Sequence, residues 1–221
     1  MTDSTKNVYH NGHGVLVIRA LEDHGAWTSG RIQTRALYGA PKGGEMLVTA
    51  VIKQPHPQNG IGYWPAFWML GQGQWPEHGE IDFMEDINAT SSASHTLHCG
   101  VYPGGPCNEP NGIGSGLLPV PRSETHFERY SGLIDRRDPG HESIVWFVNN
   151  REVFSVHEGE VHQGTWQEAV DHGFSIMFDL AMGGGYLDGV AGRTTPTPST
   201  SSASRLVIRS LSVLVRSPHP R

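Results

Sequence analysis

Cysteine is almost missing from this sequence, cations are scarce, and no apolar run is long enough to cross a bilayer. Cys99 and Cys107 are the only two cysteines. A closed zinc site therefore lacks ligands: His95, His98 and Cys99 fit no zinc spacing, and no fourth ligand stands near them. The two cysteines lie eight apart in the Gly- and Pro-rich "CGVYPGGPC", where they either bridge or remain free thiols; a bridge points to an oxidising compartment. Sixteen Lys and Arg against 22 Asp and Glu leave a formal charge of -6, which gives no footprint for nucleic acid or an anionic membrane. The opening "MTDSTKNVYH" has no charged-then-apolar layout, so neither a signal peptide nor a membrane span is expected in the sequence as it stands. Amphipathic helical periodicity is missing too.

What the sequence does have is short alternating apolar runs. "GVLVIRA", "MLVTAVI", "SIVWFVNN", "FSIMFDLAM" and "RLVIRSLSVLVR" are each about a strand long. Twenty-eight glycines and 15 prolines separate them, the layout of many strands joined by turns and loops. With 221 residues and no internal repeat, the expectation is one all-β domain over 1–221. "FVNNREVF" reads as a hairpin turning at Asn149 and Asn150. "GRTTPTPSTSSAS", 192–204, reads as a polar loop before a final strand.

One stretch is chemically unusual. "WPEHGEIDFMED", 75–86, holds five carboxylates in ten positions. On a strand Glu80 and Asp82 share a face and Glu85 points away. A β-bulge at Phe83 and Met84 would bring Glu85 back beside them. Three carboxyls on one face push their pKa values apart, which suits a site where one acid stays protonated and another ionised. Glycosidic bond cleavage by a nucleophile and a general acid needs that arrangement. An E-x-D-x-x-E pattern alone would equally describe a solvated strand edge. Its neighbours favour a site: Trp64, Trp68 and Trp75 precede the acids, and flat aromatic faces stack on pyranose rings. Trp64 and Trp75 are expected to face the cleft, with Trp68 divided between cleft and core.

"WPAFWML", then "WPEHGEIDFMED" and "TLHCG", resemble glycoside hydrolase family 16, in its laminarinase-like branch with the bulged E-x-D-x-x-E. The resemblance extends to "GHGVLVIRALED" and "WTSGRIQTR" upstream and to "WFVNNREVF" and "FDLAMGGGY" downstream. It implies a concanavalin A-like β-sandwich jelly roll whose concave sheet forms an open cleft for a β-linked glucan or galactan, cut internally with retention. It further implies Glu80 as nucleophile, Glu85 as acid/base and Asp82 as the partner that tunes both. Retention places the two working carboxyls roughly 5 to 5.5 Å apart. His98 looks like a family histidine near the acid/base; otherwise it is a satisfied strand histidine. Substrate contacts are thus expected from Trp64, Trp68, Trp75 and His98, and a secreted location follows from the resemblance and the possible Cys99–Cys107 bridge.

Three positions depart from the pattern. Asp179 stands where relatives often carry Asn. Arg209 stands where the last strand often has an acid, a poor calcium neighbour, so neither a cofactor nor a structural calcium is expected. "SGLID" replaces the usual acidic-Trp pair. The chain also begins about where relatives have passed their first strand, so a sandwich lacking that strand is expected. The reading is a monomeric endo-acting retaining β-1,3-glucanase, with a β-1,3-galactanase or mixed-linkage glucanase as the rival enzyme. A lectin on the same sandwich is the rival from another class; it would keep the tryptophans and have no use for the acids.

Overall fold

The computed structural model describes residues 1, 4–57, 59–183 and 205–218; the polar stretch 192–204 lies outside them. The apolar runs form strands that bury one side and wet the other. In one sheet the order is β1 (Val8–His10), β2 (Leu16–Arg19), β16 (Arg205–Arg216), β6 (Glu45–Lys53), β12 (Glu128–Asp135), β13 (Ser143–Val148) and β14 (Arg151–His157). In the other it is β10 (Ile113–Gly114), β9 (Ser92–His98), β8 (Glu80–Glu85), β7 (Tyr63–Gly71), β15 (Phe174–Met182) and β5 (Arg31–Gln33), with β11 (Leu118–Pro119) also on β9. A small hairpin of β3 (Leu21–Asp23) and β4 (Ala26–Thr28) stands apart. The pairings in both sheets are antiparallel.

The core lies between the sheets. Met46, Val48, Ala50 and Ile52 of β6 are fully buried, as are Phe67, Met69, Ile81 and Phe83 from the second sheet. Phe67 stacks on Phe178 at 4.7 Å. Alternation thus turns Trp64 and Trp68, at even spacing from one another, to the opposite face from Phe67 and Met69, away from the core. The β13–β14 hairpin turns where expected: Asn149 and Asn150 take φ of 52° and 64°, the left-handed pair that a two-residue turn requires and Asn tolerates.

Two expectations are corrected. A strand does stand ahead of "GVLVIRA": Val8–His10 pairs with β2 in a register running from Val8↔Ile18 to His10↔Leu16, and three residues are too few for alternation to show. A helix also exists, α1 (Gln163–Val170), burying Trp166, Ala169 and Val170. At eight residues it offers barely two turns of period to read. Charge holds it instead: the Trp166 indole donates to Glu142 at 2.9 Å, and buried Arg136 bonds both Glu142 and Asp171.

At one edge the sandwich is thinly covered. Among the described residues, β16 beyond Ile208 pairs only with β6. Leu211 and Val215, opposite the core residues Ala50 and Met46, are 37% and 44% exposed.

Candidate active site

The acidic strand β8 carries a bulge at the position its spacing requires. Against β7, Trp68 pairs with Asp82 and Phe67 with Met84, so Phe83 has no partner. Against β9, Asp82 pairs with Thr96 and Glu85 with Ser94, three steps on one strand facing two on the other. The extra residue reverses the alternation and returns Glu85 to the face of Glu80 and Asp82. Phe83 and Met84 are consecutive and both fully buried, as an inserted residue on the core side demands.

Side chains around the bulge hold it open. Across the core, Gly132 of β12 leaves the space that Phe83 fills: a Cβ there would lie 2.2 Å from the ring. Trp146 of β13 donates its indole N–H to the Asp82 carbonyl at 2.7 Å, and His95 donates from Nδ1 to the Phe83 carbonyl at 2.9 Å. Two carbonyls that an interrupted ladder would leave unpaired are thereby satisfied. Burial pushes His95 down to about 4, so the ring is neutral at ordinary pH.

The outward face opens into a cleft of about 510 Å³ whose lining includes Trp64, Trp75, Glu80, Glu85 and His98. Asp82 does not line it; at 2% exposure it sits behind the two glutamates. The Trp64 indole donates to Glu85 Oε1 at 2.8 Å. His98 Nε2 faces Asp82 Oδ2 at 3.4 Å and Glu80 Oε1 at 3.9 Å, while Nδ1 lies 2.8 Å from Glu109 Oε2.

This packing sets the protonation states. Burial and then the Asp82 charge push Glu80 up to about 8. The same two causes, in the same order, hold Glu85 well above the usual carboxylate range. Burial raises Asp82 as well, opposed by His98. For His98 burial favours the neutral ring, but the close approach of Asp82, the hydrogen bond to Glu109 and the charges of Asp82 and Glu80 outweigh it and raise the ring to about 11. The cation is thus shared unequally. It is the largest lowering influence on Glu80, helped by Arg31, and the smallest influence on Glu85. This bias favours charge on Glu80 and the proton on Glu85, the direction that acid-assisted nucleophilic displacement needs.

A model described as the XgeA-like, catalytic GH16 domain matches residues 16–108. The whole fold superposes on the crystal structure of an endo-1,3-beta-glucanase from Streptomyces sioyaensis with a TM-score of 0.88 and 36% identity, covering 96% of this chain and 80% of that one. The chain belongs to glycoside hydrolase family 16. A beta-glucanase from Rhodothermus marinus is 29% identical over 189 residues, 79% of this chain and 60% of its own length. The glucan endo-1,3-beta-glucosidase A1 of Niallia circulans is 28% identical over 220 residues, 90% of this chain and 30% of its own length. The family 16 chain thus spans 60% and 30% of these two curated relatives.

The remaining sequence-predicted residues of this family 16 chain fall into two groups. Trp75 joins the cleft: its ring lies 5.7 Å from His98 and 6.1 Å from Tyr102, a 60% exposed tyrosine that no spacing argument singles out. Trp68 shares the outward face but does not line the cleft. It donates to Asp179 Oδ1 at 2.7 Å, and the Arg31 guanidinium covers its ring at 4.5 Å. Burial pushes Asp179 itself up to about 6, against the Trp68 bond and Arg31. Cys99 and Cys107 are joined by a disulfide with Cα atoms 5.5 Å apart. Arg209 sits at the bulge between Ile208 and Ser210, stacked 3.8 Å over Phe127.

Glu80, Asp82 and His98 offer donor atoms within 4.8 Å of one another. His98 enters that group through Nε2, since its Nδ1 is turned to Glu109. The functional neighbour that sequence reading missed is Glu109. A single acid after a cysteine, in "CNEP", has no periodicity or partner spacing to reveal it.

Proposed function

We propose that this chain is a retaining, endo-acting glycoside hydrolase that cuts β-1,3-linked glucan, with Glu80 as nucleophile and Glu85 as acid/base. Ionised Glu80 attacks the anomeric carbon while Glu85 gives its proton to the departing glycosidic oxygen. Glu85, now a carboxylate, then takes a proton from water, and the hydroxide oxygen displaces Glu80 at the same carbon. Asp82 stays behind the pair and sets their proton affinities. Trp64 and Trp75 give the sugar aromatic faces within the cleft. One observation carries the reading: the bulge places two glutamates on the cleft wall with a buried aspartate behind them and His98 biasing them unequally. The likeness to an endo-1,3-beta-glucanase at 36% identity supports the choice of linkage, and the disulfide is consistent with an extracellular site of action.

Incubation with laminarin, a mixed-linkage β-glucan and a β-1,3-galactan, followed by reducing-end assay and product sizing, tests it. Laminarin is expected to be cut fastest, to a ladder of oligosaccharides. Retention of bound glucan with no new reducing ends would mean a lectin, and faster release from the galactan would move the substrate.

A further inference from the structure

The turn closed by Cys99 and Cys107 ends on a buried acid to which the roles above give no task. Gly104, Gly105 and Asn108 take φ of 80°, 65° and 59°, so the chain doubles back and Glu109 exchanges two backbone hydrogen bonds with Gly104, at 2.7 and 2.6 Å. The disulfide ties the same turn to the end of β9. The Glu109 side chain has no exposed surface. Its Oε1 accepts the Cys99 backbone N–H at 2.9 Å, and its Oε2 meets His98 Nδ1 at 2.8 Å. The other ring nitrogen is the one that faces Asp82 and Glu80.

We propose that Glu109 is a positioning residue of this site, anchored by the disulfide-closed turn so that its carboxylate fixes the His98 ring with Nε2 aimed at Asp82 and Glu80. The proposal rests on the glycosidase reading and deepens it. Glu109 does not line the cleft, so it acts only through His98. A histidine this buried loses its proton unless acceptors face it. Glu80 is an unsteady acceptor, because its charge disappears when it bonds the sugar. Glu109 has no such duty and serves the ring through the whole cycle. The charged and titratable groups around His98 are Glu80, Asp82 and, more weakly, Glu85 from β8 and Glu109 from the turn, with Arg31 of β5 acting on Glu80. For both Glu80 and Asp82 the stabilising effect of His98 outranks the direct repulsion from Glu109. Loss of the Glu109 charge should therefore weaken the hold of His98 on its proton and, where the ring becomes neutral, make Glu80 harder to ionise.

Glu109→Gln in the full chain keeps an oxygen acceptor and removes the charge. The experiment follows the His98 ring nitrogens by NMR against pH in the parent and variant, and measures kcat/KM on laminarin across the same range. The parent ring is expected to stay cationic past about pH 8, while the variant ring binds its proton at least about tenfold more weakly and the acid limb of kcat/KM moves to higher pH. A His98 titration and an acid limb that both match the parent would overturn the proposal. Should the variant fail to fold, the parent ring decides: cationic at about pH 8 supports the assignment, and neutral refutes it. The ring titration needs no turnover, so failure to hydrolyse any glucan would count against the glycosidase reading and leave the Glu109 assignment to the NMR result.

Discussion

The indole N–H of Trp146 in one sheet donates to the backbone carbonyl of Asp82 in the other, 2.7 Å away. That bond crosses the core and ends on the residue before the bulge, so sandwich packing and acid placement are one structural problem. The notch at Gly132 and the His95 bond to the Phe83 carbonyl belong to the same arrangement. A bulge left unsupported would relax to strict alternation and turn Glu85 away from the cleft.

Gly132→Ala tests that support. Its Cβ would fall 2.2 Å from Phe83 Cε1, and the ring, enclosed in the core, has little room to yield. Overpacking of this kind costs about 1 to 3 kcal/mol, so the melting temperature should fall and hydrolysis with it. Gly159→Ala is the control, because no atom lies within 4 Å of its Cβ position. Equal melts for the two variants would contradict the notch.

Asp82→Asn should move the pH profile in a stated direction. The Asp82 charge follows burial as the next cause raising both Glu80 and Glu85. Without it both glutamates ionise more readily, so the acid and basic limbs of kcat/KM should shift down together relative to the parent. Whatever rate survives, its pH dependence reports the change. Limbs that stay in place, or move up, would remove Asp82 from the tuning role.

Glu80 also costs stability where it is ionised. Its folded value of about 8 stands above the ordinary 4.5, so its contribution is intact below pH 4.5 and is lost as pH rises through the folded value. Glu80→Gln removes that loss. The variant should melt like the parent at low pH and become more stable across the window from 4.5 to 8, by about 1 to 4 kcal/mol at the upper end. Thermal melts in a pH series read this directly; a variant destabilised more at high pH than at low pH would reverse the sign.

Much of the site was legible in the sequence because it depends on short, rule-bound patterns. The spacing from Glu80 to Glu85 required a bulge if the acids were to act together, and the hairpin at Asn149 and Asn150 carried its own turn chemistry. Sequence reading left Trp68 divided between cleft and core. It could not foresee that Arg31, from a strand more than thirty residues earlier, would cover the Trp68 ring, nor that Glu109 would reach His98. Such contacts are made by sheet order and loop closure, which no local pattern encodes. Helix α1 escaped for the opposite reason: its signal is local but only eight residues long.

The central claim is that Glu80 bonds the sugar while Glu85 handles the proton. A 2-deoxy-2-fluoro β-laminaribioside with an activated leaving group slows the second step and should leave the sugar on the nucleophile, where peptide mass mapping can find it. The account predicts one label per chain, on Glu80, in the peptide containing "HGEIDFMED". A label on Glu85 or Asp82, or hydrolysis that proceeds with inversion and leaves no label, would contradict it.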